Sequence, residues 1–347
     1  MASGQENLLI RVSRRAMACE FEVCFPAGSC AGGANVALEA LDLVESLEEQ
    51  LSYFRPTSEI SRINLLAAES PVEVEPRLFD LLRLAMRLHE ETAGAYDITS
   101  TPLWEAWGFA RRAGKIPSDA DLADARTHVG GQFVELDPVR RTIRFHRPGV
   151  KINVGSIGKG FALDVCAERL RLLGMTDFLV QGGKSSVLAS GEGRLATAST
   201  RCKEDWETRR LGDEETGSAG QPWEVGVPHP RQAGKRLGVV RLHNRALGTS
   251  GGQFQSFRHH GRRYGHILDP RSGRPAEGVL SATVTAPTAA LADALSTAFF
   301  VLGPQPSLDY CRKHPEIGMI LFGIAQNGGE VELHRAGLEN DDWAMNK

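Results

Sequence analysis

The start of this sequence lacks an apolar run of any length: Leu8, Leu9 and Ile10 stand alone before Arg11, Arg14 and Arg15 interrupt. That is too short for the core of a secretory leader or for a spanning helix, so the expected compartment is the cytoplasm, with no membrane segment. Cysteine is sparse, at 6 of 347 residues, with no Cys-x-x-Cys pair and no histidine close enough to complete a zinc pattern. A disulfide scaffold is therefore excluded, and Cys19 and Cys24 read as reduced thiols buried on a strand. Net charge is nearly absent as well, since 40 Lys and Arg against 43 Asp and Glu leave −3. The overall field attracts neither nucleic acid nor an anionic membrane, and any anionic ligand must be held by a local site.

What is present is a globular composition, 41% hydrophobic and 24% charged, able to bury a large core. With no tandem repeat, the chain reads as one elaborated domain over 1–347 with a polar surface insertion at about 192–221, a stretch rich in Gly and charge and without periodicity. Apolar spacing predicts helices over 35–51, 76–92 and 155–173, and a last helix over 289–302. Thr57 and Ser58 can cap a short helix after Pro56, and 118–127 reads as another capped helix. Strands are expected at 21–25, 178–180, 186–189, 223–227, 237–242 and 280–285, with a hairpin turning at Asp137-Pro138. Hairpins mixed with long helices argue for an α+β fold built on antiparallel sheets rather than a repeated βαβ unit.

Two Gly-Lys sites invite a phosphate-loop reading and both fail it. Such a loop needs a glycine five residues before its Gly-Lys, and before Gly183-Lys184-Ser185 that position is Phe178. Gly158-Lys159 is followed by Gly160 instead of a hydroxyl residue, so a nucleoside-triphosphatase is not indicated. What remains is that GSIGKG opens a helix: either a plain helix-entry turn, or amides and a lysine placed to hold phosphoryl oxygens. The segment 248–273 is the densest polar stretch, where His259 and His260 read as a solvated basic turn. His266, beside Ile267 and Leu268, could be held in one orientation as a general base. On the helix at 289–302, Asp293 and Thr297 lie four apart on one face. They read either as a capping Asp with a buried Thr or as oxygen ligands for a hard cation such as Mg²⁺.

Together these segments resemble the ApbE family of FAD:protein FMN transferases. The carrying motifs are AMACEFEV (16–23), SYFRPTSEISRIN (52–64), AYDITSTPLWEAWGF (95–109), INVGSIGKGFALD (152–164), QGG (181–183), WEVGVPHP (223–230), TSG (249–251), GHILDPRSG (265–273) and ADALSTA (292–298). Nine short motifs fall in the family's order over nearly the whole chain. The resemblance implies an α+β fold of the T-fold type, FAD bound as substrate in an extended cleft, and Mg²⁺ at its pyrophosphate. It implies that a threonine or serine hydroxyl of an acceptor flavoprotein attacks the FMN phosphorus and AMP leaves. It assigns Ser156, Asp293 and Thr297 to the metal, Lys159 to the pyrophosphate, Asn153 to cofactor binding and His266 to proton removal. Met17, Ala95, Tyr96, Asp97 and Ile267 match positions lining the flavin or adenosine. An FAD pyrophosphatase, or a flavin-binding protein without chemistry, would use the same cleft. The chain departs from the family's usual residues at Ala18 and Cys19, at Asn153, and at Gly252 and Gln253.

Overall fold

Eight strands assemble into one sheet in the order in which they occur along the chain: Leu9–Ala16, Cys19–Pro26, Phe178–Gly182, Ser186–Ser190, Ala246–Gly251, Val279–Ala286, Gly318–Ile324 and Val331–Ala336. Every neighbouring pair is antiparallel. The computed structural model describes residues 8–111, 113–191, 222–232, 234–251, 256–324, 331–339 and 341–345. The expected insertion at 192–221, Gly252 and Gln253 lie outside those residues.

Helices fill the excursions between neighbouring strands. Between the second and third strands run α1 (Gly33–Leu51), α2 (Glu59–Leu66), α3 (Pro76–Glu91), α4 (Thr101–Ala106), α5 (Asp119–Arg126) and α6 (Gly158–Leu172). After the sixth come α7 (Ala289–Leu302) and α8 (Pro304–Lys313). Their local causes are plain. In α1 the buried Ala37, Leu41, Val44, Leu47 and Leu51 recur at helical spacing. Pro76 opens α3, where the Glu75 carboxylate accepts from Leu78 N. Ser118 and Asp121 form a reciprocal capping box on α5. Burying each large apolar side chain contributes about 2 kcal/mol, against a few tenths for most exposed ion pairs, so the apolar stripes decide how the helices sit.

Helices α1, α6 and α7 cover one face of the sheet, and the other face packs on a second, three-stranded sheet of Trp223–Pro228, Arg236–Leu242 and Trp343–Met345. Because side chains alternate along a strand, Phe178 and Val180 enter the helical core while Leu179 enters the inter-sheet core. With both faces covered, the strands Phe178–Gly182, Ser186–Ser190 and Gly318–Ile324 are buried almost throughout. A third cluster gathers Leu103, Trp107, Phe109, Leu122 and Leu268 under α4 and α5.

The α+β class with antiparallel sheets is as expected, but the chain does not end its regular structure at 302. Gly303, at φ 79°, breaks α7 and Pro304 starts α8, after which three more strands follow. Leu9–Ala16 is a strand too, with Arg11 and Arg15 exposed and Arg14 half-buried against Asp42 and Glu45 of α1. Cys24 is buried, whereas Cys19 is only half-buried and faces a cavity. None of the five cysteines among the described residues is in a disulfide.

Candidate active site

A cavity of about 1280 Å³ opens where the N-terminal ends of α6 and α7, the first hairpin, and the segments 95–101 and 266–270 converge. All eleven residues singled out in the sequence line it: Met17, Ala95, Tyr96, Asp97, Asn153, Ser156, Lys159, His266, Ile267, Asp293 and Thr297. They come from five separate segments of the chain.

Met17 and Ala18 form the tip of the first hairpin, both with left-handed φ, 49° and 60°. A two-residue turn of this kind matches the twist of its strands but favours glycine. Glu48 on α1 holds it, its Oε2 accepting from Met17 N at 2.7 Å. Ala95, Tyr96 and Asp97 follow the end of α3 through left-handed Ala93 and Gly94. Tyr96 is fully buried, and its hydroxyl accepts from Ser156 Oγ at 3.2 Å. Asp97 turns its carboxylate away to Thr99, accepting from its N at 2.7 Å and its Oγ1 at 2.6 Å, with His89 Nδ1 3.3 Å from the other oxygen. Asp97 thus braces the wall, and its hydrogen-bonding contact and charge raise the His89 pKa against the effect of burial. Asn153 Oδ1 accepts from Gly155 N at 2.9 Å and so shapes the glycine turn into α6.

The centre of the cavity is a polar cluster around Asp293. This carboxylate is 5% exposed; Oδ2 accepts from Gly160 N and Oδ1 from Ser186 Oγ, each at 2.7 Å. Burial pushes its pKa up, and Lys159, Ser186 and Gly160 oppose that shift. Lys159 donates to Ser185 Oγ, which lies 3.2 Å from Ser186 Oγ. Thr297 Oγ1 donates to Asp293 O at 3.3 Å and sits 3.2 Å from Ser250 Oγ. Of the two readings of Asp293, the N-cap is ruled out, because Thr288 caps α7 and Asp293 lies one turn inside.

These oxygen donors suit a hard cation: one buried carboxylate, whose charge burial disfavours, flanked by hydroxyl groups. Among the described residues no group of three or more His, Cys, Asp or Glu could hold a metal. A cation here would complete its shell with water and ligand oxygens, as Mg²⁺ does.

His266 lies half-buried between strands Arg262–Gly265 and Leu268–Asp269 and faces the same cavity. His259 and His260 are exposed at a hairpin tip, a solvated turn. Gly183-Lys184-Ser185 is the turn between two adjacent strands, not a helix entry, which explains its failure as a phosphate loop. Sequence reasoning missed Glu48, Ser185, Ser186 and Ser250. The two serines directly follow the Gly-Lys pair tested as a phosphate loop, which was the signal available. Glu48 gave none, for its contact with Met17 spans 31 residues of chain. Tyr53, Phe54 and Trp104 line the cavity as an aromatic cluster, Phe54 and Trp104 with centroids 6.1 Å apart.

The model of the ApbE family matches residues 17–321. The FAD:protein FMN transferase of Haemophilus influenzae is 29% identical over 337 residues, covering 94% of this chain and 90% of that protein. Among solved structures, the ApbE protein of Thermotoga maritima superposes with a TM-score of 0.77 at 26% identity, over 94% of this chain and 97% of that one. The apo flavinyl transferase ApbE of Pseudomonas stutzeri gives 0.76 at 27%, over 95% of each.

Proposed function

The chain belongs to the ApbE family, and from that membership and the chemistry of its cavity we propose that it transfers the FMN moiety of FAD to a threonine or serine hydroxyl of a target flavoprotein, acting as one domain with Mg²⁺. The observation that carries the reading is the convergence of the residues from five segments on a single cavity large enough for a dinucleotide. In the reaction, a bond forms between the acceptor oxygen and the FMN phosphorus. The bond from that phosphorus to the bridging oxygen breaks, and its electron pair leaves with AMP.

Mg²⁺ held by Asp293 and Thr297, with Ser156 on the facing wall, would supply a Lewis acid that neutralises charge on the pyrophosphate. Lys159 and the first amides of α6 place further positive potential beside it. His266 takes the proton of the attacking hydroxyl. Met17, Ile267 and the buried Tyr96 shape the walls against which the flavin and adenine lie.

The test is incubation of the purified chain with FAD and Mg²⁺, with and without a candidate acceptor domain, followed by mass spectrometry. An FMN phosphoester on the acceptor, with AMP released in equal amount, is expected. Asp293→Ala should slow transfer by about 10²–10³-fold. FMN and AMP without any adduct would convert the reading to an FAD pyrophosphatase. Neither product, with Asp293→Ala neutral towards FAD binding, would make the metal-dependent chemistry wrong. We place the reaction in the cytoplasm, where thiols stay reduced; the protein turning up in another fraction of its source cells would refute that.

A further inference from the structure

The two helices at the centre of the cavity are tied together by an exchange of carboxylates. Asp293, on α7, accepts from Gly160 N in the first turn of α6 at 2.7 Å. In return Asp164, on α6, accepts from Ala289 N at 2.8 Å and from Ala290 N at 2.9 Å, the first two residues of α7. The helices cross so closely that a Cβ on Gly160 would lie 2.1 Å from Ala289 O. The first amides of a helix have no partner within it. In α7, Asp164 satisfies two of them from outside, while Thr288 meets Leu291 N at 3.4 Å. Asp164 is not among the residues facing the cavity.

We propose that Asp164 is a positioning residue for phosphoryl transfer: by holding the start of α7 against α6, it sets Lys159 on one helix opposite Asp293 and Thr297 on the other. The proposal rests on the reading of this cavity as the FAD pyrophosphate site. Its consequence is selective. A small slide of α7 along α6 moves the charges that flank the phosphorus relative to one another, and a misplacement of about 1 Å costs about 10²-fold in rate. The cavity walls at Met17 and Trp104 belong to other elements, so most of the FAD contact area stays in place.

The experiment compares the full chain with Asp164→Asn, Asp164→Glu and Ser118→Ala. Ser118 caps α5, away from the cavity, so Ser118→Ala measures what loss of a helix cap does by itself. Thermal midpoint, kcat and KM for FAD are recorded. FAD binding is followed by flavin fluorescence across a Mg²⁺ titration, with no acceptor present. For Asp164→Asn, kcat should fall about 10- to 100-fold, with KM for FAD changed less than about 3-fold. The Mg²⁺ concentration at half-maximal fluorescence change should rise. Asp164→Glu keeps the carboxylate on a longer arm and should show the same split in smaller measure; it decides the matter should the Asn variant not fold. Asp164 variants that lose only thermal midpoint, as Ser118→Ala does, overturn the proposal. If the wild type transfers no FMN, the underlying reading of the cavity fails instead.

Discussion

Ala18 stands in the left-handed region at φ 60°, at the tip of a hairpin that forms one wall of the cavity. A side chain in that conformation costs about 1–2 kcal/mol, part of which glycine returns as extra freedom in the unfolded chain. Ala18→Gly should therefore raise stability by about 0.5–1 kcal/mol in urea unfolding while leaving FAD affinity unchanged; a loss of stability would show that the turn is not strained. His266→Ala belongs to the same scale. It should slow transfer by about 10²–10⁴-fold with flavin binding intact. Loss of binding with no separate effect on rate would mark His266 as structural. Both residues were visible in the sequence, His266 by its polar neighbourhood and Ala18 as a departure from the family's usual residue. Cys19 was misread as a buried strand residue because alternation along a strand does not reveal which face borders a cavity.

At the scale of elements, α6 and α7 carry two carboxylates at their crossing, Asp293 buried and Asp164 part-buried. Desolvation raises the Asp164 pKa from 3.8 to about 6, against the pull of the Ala289 and Ala290 amides. Folding thus favours its protonated form. The associated stabilisation is complete below about pH 4 and is lost as pH rises through about 6, a difference of roughly 3 kcal/mol. Unfolding free energies of the wild type and Asp164→Asn, measured from pH 4 to 7, should show the wild type losing ground to the variant by this order. A pH-independent difference between the two would contradict it. Helix positions were legible because apolar spacing and capping are local, and α7 coincides with its expected bounds. The strand at 9–16 and the elements after 302 were not. Three arginines on an edge strand resemble the end of a short apolar run, and Gly-Pro at 303–304 resembles an end.

For the molecule as a whole, residues lining the cavity range from Arg11 to Thr297, so ligand binding draws on most of the chain. FAD with Mg²⁺ at about 100 times its dissociation constant should stabilise the folded protein by about 2.7 kcal/mol. This should appear as a rise of several degrees in thermal midpoint. Asp293→Ala should reduce that rise at equal FAD concentration, and an unchanged midpoint for the wild type would argue against binding in this cavity. With a net charge of −3, the overall field does not draw in the anionic ligand. Attraction comes from groups at the cavity itself, Lys159, Lys184, Arg11 and the start of α6.

The sequence alone determined the helices with clear apolar stripes, the α+β class, the residue types available for phosphate and metal chemistry, and their order along the chain. These follow from spacing and capping over a few residues. Only the tertiary structure decided that Asp293 meets Gly160 across 133 residues, that Glu48 holds the turn at Met17, and that Ser185 and Ser186 link Lys159 to Asp293. The tertiary structure likewise decided how the Asp97 carboxylate is held within the cavity wall, by Thr99 and beside His89. Such contacts depend on how the sheet closes and how near two helices can approach, which no local pattern records.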